Sequence, residues 1–291
     1  MKKFLLKILS FSAITLIILE VLIRLLMLTN DVPQRDIDEN GLQVFQKNQK
    51  GFSHGEKWNV NSDGFLGHND KNKDNQLLII GDSFVENIMN PFECRQSSLF
   101  KKSGFDVFEI GRSGITFIEA LEFYSKYKSK VNPKKTILII DNFDFNESIQ
   151  EVKKLSDRTQ ISLVNNEIIF GKIKGKYLKK ILYNYKTLYY TYLKYLKSNK
   201  NENPIKVKNI KNSEELINKL ITYSSRSYDL NNCLFAFRGK NNFKELFNKL
   251  NLEFLELNLK GSQFMYSEKD SHWNCQGHIK ASELILSRLN D

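Results

Sequence analysis

Several chemistries are excluded by what this chain lacks. It has three cysteines, Cys94, Cys233 and Cys275, and no CxxC pair, so no zinc ribbon is encoded and at most one disulfide can form. The segment Gly171-Lys-Ile-Lys-Gly-Lys176 is rich in glycine and lysine but lacks the Gly-Lys-Ser/Thr ending of a phosphate loop, which leaves nucleotide binding unsupported. No internal repeat is present, and no low-complexity linker beyond a lysine-rich stretch. Acidic residues are missing from residues 172–200, which hold nine Lys. The formal charge of +11 is therefore concentrated there and at the N-terminus, and the rest of the chain is close to neutral. A nucleic-acid binder would spread its basic residues, Arg among them, over a contact face, so no nucleic-acid partner is expected.

Residues 8–28 form an apolar run of 21 residues, about 31 Å as a helix against a hydrocarbon core of about 30 Å. No small-x-small cleavage site follows it, which favours an uncleaved membrane anchor in contact with lipid over a cleaved signal peptide. Glu20 and Arg24 share one helix face and can pair, or can meet a partner span. Lys2, Lys3 and Lys7 precede the run, whereas Asp31, Asp36, Asp38 and Glu39 outnumber Arg35 after it. The positive-inside rule then puts the N-terminus in the cytoplasm of a bacterial cell and the body outside it, periplasmic or extracellular.

The expected organisation is an anchor in residues 1–30, a polar linker and lead-in in 31–75, and one globular domain in 76–291. Within the last, residues 76–80, 106–110, 135–140, 233–237 and 254–257 read as buried strands. Residues 116–127, 214–223 and 279–289 read as helices between and after them. That alternation predicts an α/β, three-layer, doubly wound sandwich around a five-stranded parallel sheet.

In such sheets ligands bind beyond the carboxyl ends of the strands. Ser83 follows the first strand in Gln76-Leu-Leu-Ile-Ile-Gly-Asp-Ser-Phe84, Gly111-Arg-Ser-Gly114 follows the second, and Asp141-Asn142 follows the third. Asp270-Ser-His-Trp-Asn-Cys-Gln-Gly-His278 lies past the fifth and can reach the same edge. A serine hydroxyl needs a base, which His272 supplies, and Asp270 can hold the ring in the right tautomer. The tetrahedral intermediate needs donors, for which the Ser83 and Gly114 amides and the Asn142 side chain are available. No cofactor and no metal is required.

Gly81-Asp-Ser-Phe84, the Gly111-x-x-Gly114 block, the Asn142 block and Asp270-x-His272-Trp-Asn-x-x-Gly277-His278 resemble, in order, the four blocks of the SGNH/GDSL esterase superfamily. The resemblance implies a flavodoxin-like fold, Ser83 as nucleophile, Gly114 and Asn142 completing the oxyanion hole, and His272 with Asp270 completing the triad. The third block departs from Gly-Asn-Asp, reading Asp141-Asn142-Phe143-Asp144. One residue, not two, separates the Asp from the His, which is similar to the branch related to polysaccharide O-acetyltransferases. Asn61-Ser-x-Gly-Phe-x-Gly67 and the N-terminal span are similar to membrane-anchored bacterial members. The implied activity is a serine esterase or O-acyltransferase acting on acyl, chiefly acetyl, esters of cell-surface carbohydrate. A transferase would need an integral-membrane partner to deliver acyl groups. The alternative is an inactive module that binds glycan or organises an assembly.

Other readings stay open beside these. Asp270 can instead cap the last helix, Trp273 can pack rather than stack on sugar, and His272, Cys275 and His278 with Asp270 have a spacing that could ligate zinc. Cys94 and Cys275 can pair while Cys233 stays a buried thiol, and Arg238 can face substrate or solvent. Ile181, Tyr185, Leu188, Tyr192 and Tyr195 recur at helical spacing among the lysines, read first as an amphipathic helix on the core and second as a lipid- or glycan-facing one.

Overall fold

The computed structural model describes residues 1–71, 76–197, 213–259 and 261–290. Residues 198–200 of the basic stretch and the terminal Asp291 lie outside the described residues. Five strands build the main sheet: β1 (Gln76–Gly81), β2 (Asp106–Gly111), β3 (Lys135–Ile140), β4 (Cys233–Phe237) and β5 (Phe254–Glu256). All neighbours are parallel, in the order β5-β4-β3-β1-β2. The chain reverses direction across the sheet between β1 and β3, the switch point at which open α/β sheets form their crevice.

Strand side chains alternate between two cores, as a period of two requires. Leu78, Ile80, Phe108, Ile110, Leu138, Ile140, Phe235 and Phe237 face one side, where the helices Phe117–Val131 and Ser213–Ser227 cover them. Leu77, Ile79, Val107, Ile137, Ile139, Leu234 and Ala236 face the other, against Phe84, Phe100 and the closing helix Cys275–Asn290. The result is the three-layer sandwich the alternation predicts.

The lead-in departs from the expectation of a polar linker. It pairs Arg35–Ile37 with Gln43–Phe45 and Lys50–Ser53 with Glu56–Asn59, and it buries Leu42, Val44 and Phe65 in the first core. Asn61 organises the turn before Phe65, its Oδ1 accepting from the N–H groups of Asp63 and Phe65. Isolated apolar residues between turns carry no periodicity, yet each fills a gap over the sheet.

The lysine-rich stretch also departs from its first reading. It is not one helix on the core but two short helices, Lys176–Asn184 and Lys186–Thr191, and a π-helical end, Tyr192–Lys197. No residue of the first helix is buried. The stretch meets the N-terminal helix Lys2–Leu25, which is long and apolar enough to cross a membrane. That helix stops three residues short of the apolar run, at Leu25 rather than Leu28.

β2 and the short helix Ser83–Glu86 touch without side chains between them. A Cβ at Gly111 would lie 2.5 Å from the Glu86 nitrogen and 2.7 Å from the Val85 carbonyl carbon, both backbone atoms that cannot turn aside. Gly111→Ala is expected to lower unfolding free energy by about 1–3 kcal/mol, the usual range for overpacking, read as a lower denaturant midpoint at unchanged slope.

Candidate active site

β1 delivers its last residue, Gly81, to the carboxyl edge, where Asp82 caps the helix Ser83–Glu86 by accepting from the Phe84 N–H at 3.0 Å. Ser83 is the first residue of that helix, so its N–H has no partner within it. From the far end of the chain the strand Asp270–Trp273 brings up the acid and the base. Ser83 Oγ lies 2.8 Å from His272 Nε2, and His272 Nδ1 lies 2.5 Å from Asp270 Oδ1. The same Asp270 oxygen accepts from the His272 backbone N–H at 3.1 Å. Burial works to raise the Asp270 carboxyl, but the two His272 donors outweigh it and hold it below the usual carboxylate range. With Asp270 accepting at Nδ1, the tautomer leaves Nε2 free to accept the serine proton.

The imidazole is seated by packing. The Phe84 ring stacks on it at 4.9 Å, and Trp273 meets Phe84 edge-on at 4.9 Å. Asn90 Nδ2 donates to the Trp273 carbonyl at 2.9 Å, and a disulfide joins Cys94 to Cys275, three residues past His272. Cys275 is thereby taken out of any zinc site, and Cys233 is the buried free thiol. The histidine strand and the serine helix are thus tied at several points around their contact.

The second block is held rigidly. Arg112 and Glu119 form a fully buried ion pair at 2.6 Å, and Arg112 Nε donates to the Gln43 carbonyl at 3.0 Å. Glu86 accepts from the Ser113 N–H, and Arg35 donates to the Ser113 carbonyl at 2.8 Å. Gly114 follows with φ of +79°, a conformation open to glycine. A Cβ there would lie 3.3 Å from the Arg158 guanidinium.

Asn142 stands at the expected strand end but is engaged elsewhere. Its Nδ2 donates to the Lys240 carbonyl at 2.7 Å and its Oδ1 accepts from the Asn242 N–H at 3.2 Å. The reason lies in its neighbours: Asp141 and Asp144 make a reciprocal capping box around the helix Asn142–Ser148, which sets Asn142 at its first position. Burial, and then repulsion from Asp82, push the enclosed Asp144 carboxyl upward.

Phe84 and Asn90 line the site, Arg158 stands beside Gly114 and Arg238 beside Phe84, and sequence reasoning gave none of the four a settled role there. Phe84 sits inside the serine block and could have been noticed as apolar beside a nucleophile; Asn90 and Arg158 carry no signal. Arg238 is part-buried, stacking 3.7 Å from the Phe84 centroid and pairing with Asp141 at 3.0 Å. A cavity of about 120 Å³ opens beside Ser83 and His272, lined by Phe84, Ile88, Met89 and Trp273. A larger depression of about 580 Å³ lies among Asp36, Asp63 and Lys130, and neither Ser83 nor His272 borders it.

Fold and site together define a doubly wound α/β protein with a hydrogen-bonded Ser–His–Asp chain at the carboxyl edge of its sheet. No protein-family model and no curated protein matches the chain. Among solved structures it is similar to a GDSL-like lipase from Bacteroides thetaiotaomicron, at 9% identity and a TM-score of 0.34, covering 74% of this chain and 88% of that one. It is similar to a family two carbohydrate esterase from Clostridium thermocellum in complex with cellohexaose, at 13% identity and 0.39, covering 79% and 67%. It is also similar to the psychrotrophic esterase EstA from Pseudoalteromonas sp., at 13% identity and 0.38, covering 75% and 100%.

His278, behind Trp273, is fully enclosed and accepts from Gln96 Nε2 at 3.2 Å. Burial above all, then the nearby His272 and Arg95 charges, pull its pKa from 6.5 down to about 3. Unfolded, the ring takes up a proton as pH falls below about 6.5, which the folded protein does not, so stability is lost through that window. Denaturant midpoints should fall between pH about 7 and about 4, by up to about 1.4 kcal/mol per unit from this ring, and His278→Gln should flatten that slope.

Proposed function

We propose that this chain is a membrane-anchored, extracytoplasmic serine esterase or O-acyltransferase that acts on short acyl esters of carbohydrate through an acyl-enzyme on Ser83. The observation that carries the reading is the continuous hydrogen-bonded chain from Ser83 Oγ through both nitrogens of His272 to Asp270. His272 Nε2 takes the hydroxyl proton as Oγ attacks the ester carbonyl carbon, and Asp270 stabilises the imidazolium that forms. The oxyanion gathers donation from the Ser83 and Gly114 N–H groups, with Asn142 joining them if substrate releases it from Lys240. Collapse breaks the ester bond, and the departing alcohol takes the proton from His272. An acceptor hydroxyl then gives its proton to His272 and attacks the acyl carbon, and the bond to Ser83 Oγ breaks as Oγ takes that proton back, water completing hydrolysis and a sugar hydroxyl completing transfer.

The N-terminal helix supports anchoring, and the basic residues before it favour an extracytoplasmic body. The Glu20–Arg24 pair is satisfied inside the chain, at 2.6 Å and by residues 184–187, so an acyl-delivering membrane partner would have to meet another face of the span. The small, mostly apolar cavity of about 120 Å³ beside Ser83 supports a short acyl group. The chain as a pure glycan-binding module would have no use for the aligned proton path.

Hydrolysis of aryl acetates tests the reading, Ser83→Ala and His272→Ala losing at least about 10³-fold in kcat and Asp270→Asn a comparable factor, with melting points kept. Wild-type turnover equal to Ser83→Ala would overturn it. Acetate should exceed octanoate by at least about ten-fold in kcat/KM, and Met89→Ala should narrow that gap; chain-length indifference would remove the cavity's role.

A further inference from the structure

We infer that the segment Lys176–Lys197 is a membrane-interface foot, lying along the outer surface of an anionic bilayer and fastened to the span by Glu20 and Arg24. The inference rests on the anchoring proposed above. Depth comes first. From Lys3 to Arg24 the helix rises about 32 Å at about 1.5 Å per residue, close to a hydrocarbon core of about 30 Å. Lys2 and Lys3 mark one boundary, which Lys7, one turn further in, reaches along its stem, and the Glu20–Arg24 pair marks the other. The residues bonded to that pair therefore sit at the outer interface.

Those bonds are numerous and come from the foot. Glu20 accepts from the backbone N–H groups of Lys186 and Thr187 at 2.9 and 2.8 Å and from the Thr187 hydroxyl at 2.9 Å. It thereby caps the helix Lys186–Thr191, whose own preceding residue supplies no cap. Arg24 donates to the Asn184 carbonyl at 2.5 Å. Lys186 pairs with Asp31 and donates to the Asn30 carbonyl at 3.2 Å, so the chain leaving the span holds the same helix.

The surface so placed suits headgroups. Tyr177 and Leu178 are 82% and 75% exposed, and Ile181, Tyr185 and Leu188 are exposed beside them. These would be a solubility liability in water but are the residues of an interfacial belt, tyrosine above all. Lys179, Lys180 and Lys194 are exposed among them, able to run their stems along lipid and lift their charges to phosphate. No carboxylate in residues 172–200 opposes an anionic surface.

The test uses the full chain with single cysteines carrying an environment-sensitive fluorophore, since Cys94 and Cys275 are paired and Cys233 is buried. Leu178→Cys, Leu188→Cys, Ile14→Cys and, as the distant exposed control, Val164→Cys are reconstituted in phosphatidylcholine and phosphatidylglycerol vesicles containing lipids spin-labelled along the acyl chain. Labels at 178 and 188 should be blue-shifted and quenched at least about two-fold, with 164 unchanged. Glu20→Ala should reduce quenching at 188 by about half or more while that at 14 persists. Quenching at 14 with 178 and 188 matching 164 overturns the foot and keeps the anchor; absence of quenching at all four overturns both. Blue-shifted emission at 178 and 188 without lipid quenching means a protein covers the surface, which also overturns the foot.

Discussion

The contact between Ser83 Oγ and His272 Nε2, 189 residues apart in sequence, is the constraint around which the carboxyl edge of the sheet is organised. A hydroxyl and an imidazole in water have no reason to meet. Here each is delivered by a backbone element with almost no freedom: the serine by the turn from β1 into a capped helix, the histidine by a strand that runs directly into the closing helix. The disulfide from Cys94 to Cys275 and the Asn90 bond to the Trp273 carbonyl clamp these elements together beside the contact. Phe84 then fixes the imidazole plane from one face while Arg238 and Trp273 fix Phe84.

The glycine at β2's end and the buried Arg112–Glu119 pair extend the same logic to the second block. A fully desolvated ion pair is costly unless its geometry is good, and this one is supplemented by a backbone carbonyl. Its position suggests that its value lies in holding the Gly111–Gly114 loop rather than in net stability. The N-terminal helix and the lysine-rich segment form a second bonded unit, in which Glu20 and Arg24 are satisfied by helix N–H groups and a carbonyl.

Much of this was legible in the sequence where residue pattern and geometry share a period. The apolar runs of β1 to β4 are buried on both faces and therefore read as continuous strands, and three of the site blocks stand at their ends. The lead-in was not legible, because Leu42, Val44 and Phe65 are single apolar residues among turns whose burial is decided by the sheet they cover. The bonds of Asn142 to Lys240 and Asn242 are not legible in the sequence, because the two flanking aspartates act as a capping box that fixes its place on the helix. The amphipathic period of residues 181–195 marks a face, but a period cannot say what that face meets; the core does not receive it, because residues 184–187 are bonded to Glu20 and Arg24, far away in sequence.

The most direct measurement is the mass of the intact protein after exposure to a fluorophosphonate, followed by peptide mapping. The account predicts one phosphonate adduct, on Ser83, absent from Ser83→Ala and strongly slowed in His272→Ala. No adduct on a folded wild-type protein, or an adduct on another serine at equal rate, would contradict the claim that residues 83, 272 and 270 form a working nucleophile.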